Sequence, residues 1–427
     1  MKKVKLILVA LTSLLVMVGC GAKKEGGGSS ESSKKMTVLL SEEPTAENAF
    51  NNALNRWAKE SGNEVETIVI PYDDQLTKFP LMLKNKDVPD MVSTTRLTRL
   101  YPEEFKDLSK DIDVSIFDEA ALDIVGQDYG SDKKLALPNQ YTITSYFYNK
   151  DAFEKAGLEA PTQDKLWTLD ELYKNAELLQ KAGGVKYGLA VDFSRARYDN
   201  FMYSNGGSMT KKSGDDFTVA INSSQNVKTL EKFVEMNQQN VLPKVIWTGG
   251  SADNPADYFK NGDVGIYLSG TWNYNMLLTD VSKFEFGVMP SPMGTETQSV
   301  IAGGAGLAIP SEAANSKLAI EFMKWLFLDE ENYQTFLAED KGISFIKGIT
   351  YTPEDEKVAQ DYQILQSETE HVTPAFLLDE QSGWRNYLDN EYRDFLKQAV
   401  NEELTAQEAL DGFAEGLAEK SEWQMSK

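Results

Sequence analysis

The chain reads as an α/β protein built from two α/β lobes with a ligand cleft between them. Two observations predict this. Strand, helix, strand, helix, strand recurs from residue 36 onward, the signature of a mostly parallel sheet covered by helices. About 390 residues follow residue 35, more than one hydrophobic core usually holds, so two lobes are expected.

The elements follow in order. Residues 36–40 form a short apolar strand that stops at the polar turn Ser41, Glu42, Glu43, Pro44. A helix over 46–60 puts Phe50, Leu54 and Trp57 on one face. A strand at 64–70, a helix at 74–84 and a strand at 90–93 complete the first run. In such sheets ligands sit outside the carboxyl ends of the strands, so the loops 41–45 and 94–98 face the cleft. The alternation returns with a strand at 142–148 and a helix at 169–181 opened by Thr168. A strand at 188–191 and helices at 198–204 and 226–239 follow, then strands at 263–268, 286–289 and 305–309. Ala319, Phe322, Met323, Leu326 and Phe327 fall at helical spacing within 317–328, and the last eighty or so residues read as mostly helical. Trp57 and Trp325 fit helix faces as core residues. No repeat of fixed period is present.

The start of the chain has another character. Lys2, Lys3 and Lys5 precede an apolar stretch at 6–18 that is too short to span a bilayer, so residues 1–19 read as a signal peptide. The stretch ends at Met17, Val18, Gly19, Cys20, which resembles the lipobox cut in front of a diacylated cysteine. Met17 stands where Leu is usual. Cys20 is the only cysteine, so no disulfide and no cysteine-ligated cluster forms within the chain, and the thiol is read as the lipid attachment point. Residues 20–35, rich in Gly, Ser, Lys and Glu, bury too little to order themselves and form a flexible tether. The formal charge of −23 becomes −26 once the three signal lysines are removed. A surface so acidic repels nucleic acid and anionic lipid and keeps a secreted protein soluble.

Several segments together resemble one family. They are Pro89-Asp90-Met91-Val92, Tyr146-Phe147-Tyr148-Asn149-Lys150-Asp151, and Gly262-Asp263-Val264-Gly265-Ile266-Tyr267 followed by Gly270-Thr271-Trp272. Gly287-Val288-Met289-Pro290-Ser291-Pro292 and the strand after Gly303-Gly304 complete the series. Their order and spacing through nearly the whole mature chain are similar to the extracellular solute-binding proteins of bacterial carbohydrate importers, the family that includes the maltodextrin-binding protein. The resemblance implies a periplasmic-binding-protein-like fold of class II type, an oligosaccharide held by hinge closure, and transmembrane permease subunits of an ABC importer as partner. It places crossings at 146–150, 302–309 and 346–350, with one lobe of 36–146 plus 302–346 and the other of 147–301 plus 347–427. It further implies a monomer held by its lipid on the outer face of the cytoplasmic membrane, with no cofactor and no catalysis.

A sugar offers hydroxyls at its edge and CH groups on its faces, so a site needs convergent polar groups and an aromatic ring. Trp272, at the end of an apolar strand, matches the family's stacking position or else covers the sheet end. Trp384, in a polar loop, either stacks on ligand or packs a helix. Trp247 and Tyr203 are weaker candidates. For the edge, Glu42 and Glu43 either accept hydroxyls or favour a helix N-terminus, and Thr94, Thr95 and Arg96 follow the third strand. Asn139, Gln140 and Tyr141 stand at the mouth of the crossing strand, and Asp192, Arg195 and Asp199 follow residue 191. Gly303 and Gly304 either admit ligand to the backbone or mark a bulge.

Other functions are weighed on the same residues. A surface glycoside hydrolase needs two carboxylates at the right separation, and with 66 acids such pairs discriminate nothing. A Ser-His-Asp hydrolase depends on His371, the only histidine, and no Gly-x-Ser-x-Gly elbow is present. A multi-histidine metal site is excluded by count, and no acidic turn belongs to a full calcium loop. The remaining alternative is the same architecture taking a polyamine or peptide.

Overall fold

The computed structural model describes residues 35–426 except 46–47, 72–73, 95, 127–132 and 249–253. Residues 1–19, read as a signal peptide, and Cys20 lie outside the described residues, as does Thr95. The strands are β1 (Lys35–Leu40), β2 (Glu64–Val69), β3 (Met91–Thr94), β4 (Ala136–Asn149), β5 (Tyr187–Val191) and β6 (Thr210–Ser213). They continue with β7 (Asp216–Val219), β8 (Val264–Gly270), β9 (Phe286–Met289), β10 (Ala302–Ala308) and β11 (Gln424–Met425). One sheet runs β2-β1-β3-β10-β4-β8-β5, with β9 also on β4, and a small sheet runs β11-β7-β6. β1 begins at Lys35, one residue inside the stretch read as tether.

Alternation along β1 shows why these residues make a covered strand. Met36, Val38 and Leu40 point into the main core, while Leu39 joins a second apolar cluster with Ile70, Phe79, Val92 and Phe105. A strand apolar on both sides is what a parallel sheet between two helix layers requires. On the main-core side the helix Ala49–Ser61 buries Phe50, Leu54 and Trp57, and Trp57 meets Phe322 edge-on at 5.6 Å. The helix Leu169–Ala182 starts at Thr168 through a reciprocal capping box with Glu171, which satisfies two otherwise orphaned donors. The C-terminal part is helical at Glu356–Glu368, Pro374–Ser382, Arg385–Val400 and Ala406–Ser421.

β4 organises the rest. Its first half, residues 136–143, pairs antiparallel with β10. From Thr144 onward it pairs with β8, and from Tyr146 also with β9. The sequence suggested a strand only over 142–148, with Asn139, Gln140 and Tyr141 at its mouth, whereas the strand already begins at Ala136. The ladder contains a bulge: Gln140 faces Ala305 while Pro138 faces Gly306, so Asn139 is the extra residue. Pro belongs at such a point, where its missing donor is not needed. Further along, Phe117 forms an antiparallel bridge with Ile346.

Candidate functional site

The registers bring strand ends together at the middle of β4. β1 and β3 run parallel, and through β10 they run in the same sense as the first half of β4. Their carboxyl ends, with Thr94 closing β3 and Glu42, Glu43 and Arg96 beyond, therefore approach the middle of β4. From the other side, β8 and β5 run parallel to each other, with Val191 opposite Leu268. β8 ends with Gly270 opposite Thr144. Gly303 faces Thr142 and Gly304 faces Tyr141. Two sets of strand ends thus face one another across Ile143 and Thr144.

On the β5–β8 side, Trp272 is 38 % exposed, one of the few large apolar side chains left open to solvent. It lies in the turn Thr271–Asn273 directly after β8. Gly270 makes room for it, since a Cβ there would fall 1.9 Å from the indole ring. The guanidinium of Arg197 covers one face at 4.4 Å from the ring centroid, a cation–π arrangement. Arg197 in turn donates from Nη1 to the Thr144 hydroxyl at 3.2 Å. Asp192 stands at the end of β5, where it accepts from the Tyr267 hydroxyl at 2.8 Å and the Ser269 hydroxyl at 2.5 Å. Asn273 donates to the same two hydroxyl oxygens, Ser269 at 2.8 Å and Tyr267 at 3.1 Å. Burial pushes the Asp192 carboxyl up, against the opposing pull of Arg197 and the two hydroxyls. The same burial lowers Arg197 to about 10, with Asp192 working against it, so the guanidinium stays charged at neutral pH. The result is a half-open indole backed by a cation and edged by an ordered set of hydroxyl, amide and carboxylate groups. Such a surface suits a ligand with an apolar face and a polar rim.

The other residues singled out in the sequence have diverse surroundings. Glu42 and Glu43 are exposed and Arg96 is half-buried. Thr94 is buried, and its hydroxyl accepts from the backbone of Arg96 and Leu97, which starts the short helix Leu97–Leu100. Asn139 donates to Ser93 at 3.2 Å, and Tyr141 is buried. Gly303 and Gly304 are half-buried. Gly304 has φ +144°, and a Cβ there would lie 2.0 Å from the Gln140 carbonyl, so backbone geometry alone demands glycine.

Trp247 is only 1 % exposed. Its ring sits edge-on to Phe193 and Phe233 and its indole N–H donates to the Val191 carbonyl at 3.3 Å, a packing arrangement. Trp384 is equally enclosed, edge-on to Tyr392 and Phe413. Arg195 lies over it at 5.0 Å and pairs with Asp199 at 3.0 Å. Burial raises Asp199 to about 6 in spite of that partner. Tyr203 donates to the buried Asp379. Arg197, Tyr267, Ser269, Asn273 and Thr144 were not singled out from the sequence. The signal for Arg197 was present: two residues after Arg195 on a helix, it points about 200° away, toward a different neighbour.

Among the described residues no three His, Cys, Asp or Glu are grouped to hold a metal, and no helix is long and apolar enough to cross a membrane.

Comparison with known proteins extends this picture. An ABC substrate-binding protein from Listeria monocytogenes, solved with cycloalternan, superposes with a TM-score of 0.74 at 18% identity, covering 91% of this chain and 99% of that one. A maltose-bound T. maritima protein gives 0.75 at 19% identity, covering 90% and 98%. These likenesses show the two-lobed, periplasmic-binding-protein-like α/β fold. The sn-glycerol-3-phosphate-binding periplasmic protein of Shigella dysenteriae serotype 1 (strain Sd197) is 30% identical over 204 residues, covering 45% of this chain and 45% of that protein. The chain thus spans about half the length of the curated relatives it matches. A family model described as bacterial extracellular solute-binding protein matches residues 41–333. That match extends over well more than half of the sequence and takes in β3, β4, β8 and the Trp272 turn, so the chain belongs to the bacterial extracellular solute-binding proteins.

Proposed function

We propose that this chain captures an oligosaccharide between its lobes by hinge closure and delivers it to the transmembrane permease subunits of an ABC importer, without catalysing a reaction. The observation that carries this reading is Trp272, an indole left 38 % exposed at the strand ends and rimmed by Asp192, Ser269 and Asn273. Proteins of the same fold solved with cycloalternan and with maltose support it. The proposed ligand site comprises Trp272, Asp192 and Arg197 on one side, and Glu42, Glu43, Arg96, Gly303 and Gly304 on the other. Thr94, Tyr141, Arg195, Trp247 and Trp384 support it from behind.

The proposed lobes are 36–146 with 302–346 and 147–301 with 347–427. The partner exchange of β4 at Thr144 supports this division, since a short crossing between rigid bodies absorbs a closing rotation. Cys20 is proposed to carry the lipid that holds a monomer on the outer face of the membrane, with two acyl chains giving a stable anchor where one gives marginal binding.

A second reading has its own support. Relatives named for sn-glycerol-3-phosphate match 45% of the chain, and Arg197 lies at the Trp272 ring, so a phosphorylated polyol is the competing ligand class. A thermal-shift screen of the protein against maltose to maltoheptaose, glycerol 3-phosphate, spermidine and short peptides decides between them. A ligand at a hundred times its Kd adds about 2.7 kcal/mol to the folded state. The carbohydrate reading expects a shift with an oligosaccharide, and a shift with glycerol 3-phosphate alone overturns it.

A further inference from the structure

We infer that Arg197 is a positioning residue that fixes the Trp272 ring in its half-open pose and references it to the middle of β4. The value of this pose for binding rests on the carbohydrate reading; the positioning itself does not.

Trp272 lies in a single turn after β8, over a glycine that offers no side chain to pack against, and it is 38 % exposed. An indole in such a place keeps several side-chain rotamers unless something occupies one face. Arg197 does so, its planar guanidinium 4.4 Å from the ring centroid. Planarity and weak hydration make arginine suited to this contact in a way lysine is not.

Arg197 is itself tied down. Its Nη1 donates to Thr144 Oγ1 at 3.2 Å. That hydroxyl also accepts from the Ile301 N–H at 3.2 Å and donates to the Ile301 carbonyl at 3.3 Å. One donor and two lone pairs are all a threonine hydroxyl has, so Thr144 is saturated and fixed in direction. Three residues after Arg197, on the same face of its helix, Asn200 Oδ1 accepts from the same Ile301 N–H at 3.1 Å. The helix Arg195–Ser204 is therefore bonded to both the first β8-paired residue of β4 and the residue preceding β10. The Arg197 Nε is buried and has no hydrogen-bond partner among the described residues. The guanidinium is thus held in contact by the ring and by Thr144 and drawn by the charge of Asp192. Trp272, Arg197, Thr144 and Ile301 form one continuous chain of contacts from the open ring to the place where the two halves of the sheet meet.

The test uses the full chain carrying Arg197→Met, Arg197→Lys or Thr144→Val, each also made in a Trp272→Phe background. Subtracting the Phe background from its parent isolates Trp272 among the seven tryptophans. Acrylamide quenching of Trp272 without ligand is expected to rise about twofold in Arg197→Met and Arg197→Lys, and by less in Thr144→Val, where the guanidinium loses its hydrogen bond but keeps the ring and the attraction of Asp192. The three variants differ in the burial they disturb, so Thr144→Val keeps the test open should an Arg197 variant fold poorly. Quenching of Trp272 unchanged in folded Arg197→Met overturns the inference whatever the ligand. Maltotriose serves as the binding probe. Kd is expected to rise about tenfold in Arg197→Met, with no rescue by Arg197→Lys. If the unaltered protein binds no sugar while the quenching change appears, the carbohydrate reading fails and the positioning role stands.

Discussion

Removal of the Trp272 ring is the perturbation that bears most directly on the site. The open 38 % of the side chain, taken on an aromatic surface of up to about 250 Å², leaves roughly 95 Å² for a ligand to cover. At about 25 cal/mol per Å² this contact contributes about 2.4 kcal/mol, or roughly fiftyfold in Kd. Trp272→Ala is therefore expected to weaken binding of the best oligosaccharide from the screen by that factor, measured by titration calorimetry. The part of the ring already covered by Arg197 and Gly270 contributes to stability instead, and its loss is expected to cost no more than about 4 kcal/mol. Truncation opens a notch to water rather than a closed cavity, which keeps the cost below that of a core Trp. Trp272→Phe should recover part of the affinity, because a smaller ring still stacks. Near-normal affinity in a Trp272→Ala protein whose melting temperature has dropped sharply would refute the platform and make the ring a packing residue.

Three further outcomes are expected. Gly304→Ala forces a Cβ to within 2.0 Å of the Gln140 carbonyl at φ +144°, a region costing about 1–3 kcal/mol before the clash is counted; a urea midpoint equal to the parent's would contradict this. Burial holds the Asp340 carboxyl up at about 6 against an ordinary 3.8, so the folded state binds this proton more tightly than the unfolded chain. Its contribution to stability is present below pH about 4 and is lost as pH rises toward 6, by at most about 3 kcal/mol. Asp340→Asn has no such titration, so the stability of the parent relative to the variant should fall across that window in urea titrations, and a flat difference would count against it. Cys20→Ser should release the protein into the medium or leave it uncleaved; a processed mutant that still fractionates with membranes would remove the anchor assignment.

The parts of the fold that local chemistry dictates were legible in the sequence. Thr168 opens the helix it was read to open, through a capping box with Glu171, and the apolar run at 36–40 forms β1, with Met36, Val38 and Leu40 on one core and Leu39 on the other. Where partners distant in sequence decide, reading stops. The strand character of 136–141 depends on β10, translated some 160 residues later, and nothing in Pro138 or Asn139 announces it. β6 and β7 hold Lys211, Lys212, Asp215 and Asp216 around a turn, so their apolar signal is slight and the pairing with β11 is tertiary. Trp272 and the weaker candidate Trp247 differ in what their neighbours do: Phe193 and Phe233 enclose Trp247 on its short helix, while Gly270 and Arg197 leave Trp272 half open. Arg195 and Asp199, chosen for their charge, satisfy each other one helical turn apart.

The place of β10 between β3 and β4 also bears on synthesis. Until residues 302–308 leave the ribosome, β3 and the first half of β4 have no strand between them, and the first half of the sheet is split. At about 5–20 residues per second, some ten seconds or more pass between completion of β4 and arrival of its neighbour. Until then β3 and the first half of β4 lack the partner that joins them in the finished sheet, and that joining requires contacts far apart in the chain, which form slowly. Delayed completion leaves the nascent polypeptide without its central pairing for longer. The same interval is when an accessory holding factor has most to protect.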